Sequence, residues 1–310
     1  MKKIAVAGAG AMGGRVGVQL KQSGADITLI DTWQPHVDAV QQNGLEIQTE
    51  TDTYTVDISM ITPNEATQPY DLIILLTKAM DAGAMIQALQ QSGAINDHTA
   101  ILSMMNGLGH HELLGQYVPQ SQIYLGVTMW TAGLRGPGQL LLEGTGSIDL
   151  NSAIASQEDA RTKQIAALLE RAQLNPTISD DIYTSVWSKA TVNSVLNPLC
   201  TILDKTIGEF AAYDQSRTMI IPIISEIVAV AHARGVDISA DTLRTKIENA
   251  YPNSTQGLHY PSMHQDHAQK RLTEIDYLNG RISTYGAELG IPTPTNDLLT
   301  HLVHQLELKY

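Results

Sequence analysis

Three glycines near the N-terminus are spaced as in segments that bind the pyrophosphate of a dinucleotide. The run contains Gly8, Gly10, Ala11, Met12 and Gly13, in the order G-x-G-x-x-G. In such a run the first glycine permits a tight turn, the second lets pyrophosphate approach the backbone, and the third lets a helix pack on a strand. The N-terminus of that helix then faces the phosphates. Glycines also gather in turns for conformational reasons alone, so the flanking elements must decide between the two interpretations.

The flanking elements favour the dinucleotide. An apolar strand over 4–7 precedes the glycines, a helix over 15–22 follows them, and the next strand, over 27–30, stops at Asp31. A carboxylate at that point accepts hydrogen bonds from the ribose of NAD and repels the extra phosphate of NADP. Because residues 32–36 contain no lysine or arginine, we expect NAD(H), with NADP(H) disfavoured. The alternative is that Asp31 only caps the next helix.

A lysine and two asparagines recur at every fourth position, as Lys189, Asn193 and Asn197. This spacing aligns the three side chains along one face of a helix. Apolar residues bracket the stripe, which predicts a largely buried helix whose polar face points into a cleft. By residue type alone, a solvated surface is the commoner place for lysine and asparagine.

Two further polar segments contain Ser262 and Glu274. The serine lies in Tyr-Pro-Ser-Met-His-Gln-Asp and the glutamate in Glu-Ile-Asp-Tyr-Leu-Asn-Gly. The serine could cap a helix and the glutamate could be a surface acid, so local spacing assigns neither a role. The histidines are adjacent, as at His110 and His111, or lack a convincing ligand set, so we expect no metal site.

Composition limits the class of protein. The 310 residues carry a formal net charge of -13 and a single cysteine, Cys200. A surface this acidic repels nucleic-acid phosphates and anionic membranes, and a lone cysteine forms no internal disulfide. No signal peptide is recognisable at the N-terminus, and no run approaches the roughly 20 apolar residues of a membrane helix. We therefore expect a cytoplasmic enzyme or binding protein with a small-molecule partner.

The first half of the chain alternates strands and helices, which predicts a parallel sheet. Apolar strands over 70–77 and 99–104 end close to Lys78 and Asn106. Because ligands of open α/β sheets bind at the carboxyl ends of strands, we expect Asp31, Lys78 and Asn106 to converge on the cofactor.

From Asp180 onward the patterns are helical. The sequence therefore predicts an α/β fold, with a doubly wound Rossmann-type sheet over 1–179 and an all-α domain over 180–310. Helices are predicted over 182–202, 213–234, 240–249, 265–289 and 295–310.

The chain resembles the ketopantoate reductase family, which comprises the 2-dehydropantoate 2-reductases and their 2-hydroxy-acid dehydrogenase relatives. The resemblance spans essentially the whole chain and rests on motifs at 8–13, 77–79, 105–109, 189–198, 262–266 and 274–280. It implies a Rossmann domain followed by a helical domain like that of 6-phosphogluconate dehydrogenase, with the active site in the cleft between them. Because family members are often dimers through the helical domain, it also implies a homodimer.

The resemblance further implies residue roles. Lys189 corresponds to the lysine that protonates the carbonyl oxygen as hydride arrives at C2, and Glu274 to the glutamate that assists it. The other matching positions bind substrate in the family, and they are Asn106, Asn193, Asn197 and Ser262. Asn106 also matches the asparagine that lies near the nicotinamide.

Asp31 departs from the commonest family pattern, since typical ketopantoate reductases use NADPH and carry a basic residue at this point. An NADH-linked member resembles the branch that interconverts D-2-hydroxy acids and 2-oxo acids with bulky or branched side chains, and this is the activity we expect. One alternative is a 2-dehydropantoate 2-reductase of pantothenate biosynthesis that tolerates NADH. An alternative of another class is a non-catalytic NAD sensor, in which Lys189 serves only packing.

Overall fold

The structure is a computed structural model that describes residues 1–154 and 160–310. The chain divides into two compact units. The first consists of Met1–Met105 and His110–Ile182, and the second of Asn106–Gly109 and Tyr183–Tyr310. The division thus falls three residues beyond the expected end at 179, and the short segment Asn106–Gly109 belongs with the helical unit instead of the sheet.

Short apolar runs form the central strands of the first unit, because branched and other apolar side chains pack well on a pleated surface covered by helices. In chain order the strands are β1 (Lys3–Ala7), β2 (Asp26–Ile30), β3 (Leu45–Gln48), β4 (Thr53–Val56), β5 (Ser59–Ile61), β6 (Leu72–Leu75), β7 (Ala100–Ser103), β8 (Ile123–Thr128), β9 (Thr131–Gly136), β10 (Gln139–Glu143), β11 (Ile148–Ser152) and β12 (Pro176–Ile178). The helices are α1 (Ala11–Gln22), α2 (Gln34–Asn43), α3 (Ala82–Ser92), α4 (His110–Leu114) and α5 (Ala160–Arg171).

Among the described residues, eight strands form the main sheet in the order β12-β11-β8-β7-β6-β1-β2-β5. The strands from β8 to β5 in that order are parallel to their neighbours, whereas β11 runs antiparallel to β8. Every residue of β6 is buried, as expected for a parallel strand that has helices on both faces. The parallel core of the predicted sheet is confirmed.

The first unit contains a second sheet of four strands among the described residues. It consists of the β3–β4 hairpin, extended by β10, which is parallel to β3, and then by β9. Strand β8 of the main sheet stops at Thr128. The chain then forms the β9–β10 hairpin, whose many glycines and polar residues weaken the alternating apolar pattern of a strand.

The second unit is helical. Its helices are α6 (Ile182–Leu203), α7 (Ile207–Ala211), α8 (Ser216–Ala233), α9 (Ala240–Glu248), α10 (Ser262–Ala268), α11 (Asn279–Leu289) and α12 (Pro294–Glu307). The short α7 was not predicted. It begins with a capping box in which Glu209 N donates to Thr206 Oγ1 and Thr206 N donates to the Glu209 carboxylate, which satisfies two N–H groups at its start.

The prediction of one continuous helix over 265–289 is wrong. The chain forms α10, then a loop with a 3₁₀ turn at Ile275–Tyr277, and then α11. Lys270 has a left-handed backbone (φ +55°), and the N–H of Thr273 donates to the Glu307 carboxylate. Contacts with distant parts of the unit therefore outweigh the local helical pattern.

Within the described residues, α8 is long and apolar enough, by length and composition alone, to cross a membrane. One of its faces lies in the core of the second unit, through Ile223, Ile227 and Val230. Glu226 on the same helix accepts hydrogen bonds from the start of α12. These contacts are those of a core helix of a globular unit, which explains the apolar composition.

Candidate active site

The glycine turn joins β1 to α1 in the first unit. Gly8 has φ +86°, and a Cβ atom there would collide with the backbone of Thr77. A Cβ atom on Gly13 would collide with the carbonyl oxygen of Gly8. Both positions therefore require glycine, since any side chain would separate strand, turn and helix.

Gly10 is different because nothing lies within 4 Å of the place where its Cβ would be. It is the N-cap of α1, which begins at Ala11 and has no side-chain cap. Open space therefore adjoins the N-cap of this 12-residue helix, whose first N–H groups receive no hydrogen bond from a capping side chain. This arrangement fits a dinucleotide pyrophosphate, which such N–H groups bind.

Asp31 directly follows β2 and is partly exposed. Its Oδ1 accepts a hydrogen bond of 2.9 Å from Trp33 N, whereas the N-cap residue of α2 is Trp33 itself. Asp31 is therefore not the N-cap, and the bond to Trp33 holds its carboxylate at the end of the strand. Lys78 is also partly exposed and directly follows Thr77, whose backbone touches the glycine turn.

Sequence reasoning missed His36, which is completely buried at the start of α2. Its Nδ1 accepts a hydrogen bond of 2.8 Å from Gly138 N, and its Nε2 lies 3.1 Å from the carbonyl oxygen of Ala9. Since Nδ1 accepts, Nε2 carries the proton and donates to Ala9. His36 thus ties the glycine turn to α2 and to the β9–β10 hairpin. No local pattern indicates this role, because the three segments are distant in sequence.

Lys189 and Glu274 interact in the second unit. Lys189 on α6 is mostly buried and keeps only part of its surface exposed, and Glu274, which is 7% exposed, lies just before the 3₁₀ turn at Ile275–Tyr277. Burial lowers the pKa of Lys189 to about 8, and the Glu274 carboxylate acts in the opposite direction by favouring the charged ammonium. A lysine with such a pKa exchanges its proton near neutral pH, as a general acid or base must.

Asn193 and Asn197 lie on the same helix, four and eight residues after Lys189. Asn193 is partly exposed, and Asn197 is buried, with 6% of its surface exposed. The predicted helix is confirmed, but it contains Pro198 in its interior, where proline removes a hydrogen bond.

Asn106 is the first residue of Asn106–Gly109, the four-residue segment that belongs to the second unit. Leu108 N donates a 2.8 Å hydrogen bond to the carbonyl oxygen of Tyr277, and Gly107, with φ +99°, has no room for a Cβ atom against the same carbonyl. The segment of Asn106 is therefore fixed beside the turn that follows Glu274.

Ser262 is exposed and is the first residue of α10, whose N-cap is Pro261. The interpretation of Ser262 as a helix cap is therefore wrong. His264, two residues further on, contacts Asp204 Oδ1 at 2.7 Å just beyond the end of α6, and its ring stacks on Tyr260. These contacts hold the segment of Ser262 to the helix that bears Lys189.

The predicted site residues thus fall into two groups. The glycine turn, Asp31 and Lys78 belong to the first unit, whereas the second contains Asn106, Lys189, Asn193, Asn197, Ser262 and Glu274. Across residues 1–154 and 160–310, no group of three or more His, Cys, Asp or Glu side chains is placed to hold a metal ion.

Comparison with known protein families gives two matches that together cover most of the chain. Residues 4–153 match "Ketopantoate reductase PanE/ApbA", and residues 181–307 match "Ketopantoate reductase PanE/ApbA C terminal".

Curated relatives are similar over nearly their whole length. The 2-dehydropantoate 2-reductase of Streptococcus pyogenes serotype M6 is 42% identical over 305 residues, which is 98% of this chain and 97% of the relative. The 2-dehydropantoate 2-reductase of Lactococcus lactis subsp. lactis is 40% identical over 308 residues, or 98% of each chain.

Among solved structures, the ternary structure of D-mandelate dehydrogenase with NADH and anilino(oxo)acetate is similar, with a TM-score of 0.95 and 41% identity over 99% of both chains. This likeness confirms the predicted fold class, an N-terminal Rossmann-like sheet followed by a helical domain.

Proposed function

The chain belongs to the ketopantoate reductase family and is an oxidoreductase that uses a nicotinamide cofactor, and we propose that it interconverts D-2-hydroxy acids and 2-oxo acids with bulky or branched side chains, using NAD(H). The observation that carries this proposal is the carboxylate of Asp31 at the end of β2.

Asp31 supports NAD(H) over NADP(H) by charge. It lies where a carboxylate meets the adenosine ribose in Rossmann folds, and a negative charge there repels a 2′-phosphate. Residues 32–36 add no lysine or arginine that would attract that phosphate, and His36 is buried and already hydrogen-bonded on both ring nitrogens. The similarity to a D-mandelate dehydrogenase solved with NADH favours the same cofactor and a bulky 2-hydroxy acid.

In the proposed mechanism Lys189 is the proton donor. The bound cofactor supplies the hydride. The Lys189 ammonium hydrogen-bonds to the oxygen of the C2 ketone, stabilises the negative charge that develops there, and transfers its proton to that oxygen. The carbonyl becomes an alcohol and Lys189 is left neutral. Glu274 favours the ammonium form before each turnover, since a nearby negative charge stabilises a positive one.

The asparagines and Ser262 hold the substrate in this proposal. Asn193 and Asn197 share the helix face of Lys189, so their amides donate hydrogen bonds next to the ammonium. Asn106 orients the ketone near the nicotinamide, and the Ser262 hydroxyl binds the other end of the substrate. The pyrophosphate lies on the glycine turn at Gly8–Gly13, with Lys78 beside it.

Initial rates with a panel of 2-oxo acids test this function. NADH and NADPH oxidation is measured with 2-dehydropantoate, 2-oxoisocaproate, phenylpyruvate and phenylglyoxylate, and the product is resolved on a chiral column. We expect strong preference for NADH, low activity on 2-dehydropantoate and a D-configured product. Preference for NADPH with 2-dehydropantoate as the best substrate would refute the proposal.

Preference for NADPH and 2-dehydropantoate would indicate the other candidate function, 2-dehydropantoate 2-reductase. It is favoured by the names of curated relatives at 40–42% identity. In that case Asn193 and Asn197 recognise the terminal hydroxyl of the substrate, and Asp31 does not exclude NADPH.

Assembly as a homodimer and a cytoplasmic location rest on resemblance to the family and stay predictions. Light scattering coupled to size exclusion tests the first, since a dimer has twice the chain mass of 33.6 kDa.

A further inference from the structure

Helix α6 continues through Pro198, which leaves one of its carbonyl groups without a helical partner. Proline has no N–H group, so the carbonyl oxygen four residues earlier, that of Ser194, receives no hydrogen bond from residue 198. Ser194 is 1% exposed, so water does not readily replace the missing donor. A buried carbonyl in this situation requires another partner, or the helix opens.

Asn279 provides that partner from the start of α11. Its Nδ2 donates a 2.9 Å hydrogen bond to the Ser194 carbonyl oxygen, across 85 residues of sequence. Asn279 is completely buried, and its Nδ2 also donates to Asn296 Oδ1 at 3.0 Å. Both hydrogens of the amide are therefore used, one of them on the carbonyl that Pro198 leaves open.

A chain of hydrogen bonds fixes the direction of the Asn279 amide. The Glu226 carboxylate on α8 accepts from Asn296 Nδ2 at 2.7 Å, and also from the backbone N–H groups of Thr295 and Asn296. Because Nδ2 of Asn296 is directed to Glu226, its Oδ1 faces Asn279, and the Asn279 amide must turn its donors towards Asn296 and Ser194. The donor at the Ser194 carbonyl is thus set by a carboxylate on another helix.

We propose that Asn279 is a positioning residue for the substrate-binding face of α6, where it replaces the hydrogen bond that Pro198 cannot make. Ser194 directly follows Asn193, and Pro198 directly follows Asn197, so the supported carbonyl lies within the turn that separates the two asparagines. Their assignment to substrate binding rests on the proposed function. The inference about the helix does not depend on it.

A double-mutant cycle between residues 198 and 279 tests the inference. Asn279→Ala removes the donor, and Pro198→Ala restores a backbone N–H that bonds to Ser194 within the helix. With Pro198 present, we expect Asn279→Ala to raise the KM for the 2-oxo acid about tenfold, or 1.4 kcal/mol, while kcat changes less. In the Pro198→Ala background we expect the same substitution to change KM less than about twofold.

Hydrogen exchange provides a readout that needs no substrate. Amides between residues 189 and 203 should exchange faster in the Asn279→Ala protein than in the parent, and at the parent rate in the double variant. If no 2-oxo acid is reduced, the proposed function fails while this comparison still decides the positioning role. The affinity for NADH should stay unchanged in all variants.

Thr300→Val is the matched control. It removes a buried hydrogen bond of 2.9 Å from Thr300 Oγ1 to the Asn296 carbonyl with little change of shape. We expect a lower thermal midpoint, but parent values for KM and for exchange in α6.

Three outcomes would overturn the inference: equal effects of Asn279→Ala in both backgrounds, no effect on KM and exchange, or failure of both the single and the double variant to fold. A single variant that fails to fold while the double variant folds is the expected rescue in its strongest form.

Discussion

The Glu274 carboxylate favours the charged form of the Lys189 ammonium, while burial of the lysine has the larger and opposite effect on its pKa. Two residues separated by 85 positions in the sequence are therefore coupled electrostatically within the helical unit. The balance leaves the pKa of Lys189 at about 8. Both protonation states of the lysine are thus populated near neutral pH, which suits the proposed donation and acceptance of a proton.

The rates of the two directions should depend on pH in opposite ways. In the proposed mechanism reduction needs the ammonium, so kcat/KM for the 2-oxo acid should fall as pH rises through about 8, the pKa of Lys189. Oxidation needs the neutral amine, so kcat/KM for the 2-hydroxy acid should rise over the same interval and then level off. Initial rates between pH 6 and about 10 measure both profiles. In Lys189→Arg, which stays charged, this break should disappear; a break that persists would assign it to another group.

Glu274→Gln should shift both profiles towards lower pH. The substitution removes the negative charge that raises the pKa of Lys189, so burial acts unopposed. The neighbouring Asp276→Asn is the control, because Asp276 is exposed and pairs with His304 at 3.0 Å. Profiles of the control should coincide with those of the parent. An unshifted profile in Glu274→Gln would show that the carboxylate does not act on the lysine.

Replacement of Lys189 itself should slow the chemical step. Lys189→Ala is expected to lower kcat about 10²- to 10⁴-fold, the usual contribution of a positioned general acid. NADH binding, followed by the fluorescence of the cofactor, should not change, because the glycine turn belongs to the other unit. Lys205→Ala replaces an exposed lysine just after the same helix and should keep parent rates. Full turnover in Lys189→Ala would remove the lysine from the mechanism.

Sequence patterns predicted those parts of the molecule in which local and tertiary preferences agree. Strand β6 is apolar throughout, and β1 is apolar after its first residue, because both faces of the sheet are covered. This pattern is visible without a structure. The spacing of Lys189, Asn193 and Asn197 predicted α6, because residues four positions apart lie on the same face of a helix.

The remaining features depend on contacts between distant segments. His36 bonds to Ala9 and to Gly138, 27 and 102 residues away, so no local window contains the information. The break between α10 and α11 likewise follows from the bond of Thr273 to Glu307. The motif at 105–109 was expected at the sheet edge, yet its residues Asn106–Gly109 belong to the helical unit, because Gly107 lets the segment pack against the backbone of Tyr277.

Asp31→Asn should weaken the preference for NADH. A lost hydrogen bond to a charged group costs about 1.5–3 kcal/mol, so kcat/KM with NADH should fall about 10- to 100-fold. With NADPH it should rise, because the repulsion of the 2′-phosphate is gone. Asp38→Asn changes an exposed carboxylate on α2 that accepts a hydrogen bond from Gln34. It should leave the ratio of kcat/KM with NADH to kcat/KM with NADPH unchanged. An unchanged ratio in Asp31→Asn would leave the proposed cofactor without its main support.

Alanine at two glycines of the same turn should separate cofactor binding from folding. A Cβ atom at Gly10 meets nothing within 4 Å, so Gly10→Ala should change the free energy of unfolding by less than about 0.5 kcal/mol. The methyl group would occupy the open space at the N-terminus of α1, however, where we propose that the pyrophosphate approaches the backbone. We therefore expect the Kd for NADH to rise at least about tenfold.

Gly13→Ala should instead lower the stability of the protein. Its Cβ atom would collide with the carbonyl oxygen of Gly8, and relief of such a contact costs about 1–3 kcal/mol of stability. Urea unfolding of the Gly10→Ala and Gly13→Ala proteins without cofactor measures their free energies of unfolding. Titration of the folded proteins with NADH measures the Kd. If Gly10→Ala binds NADH as tightly as the parent, the pyrophosphate does not lie on this turn, whereas a large loss of stability in Gly10→Ala would mean that the space beside the helix is not open.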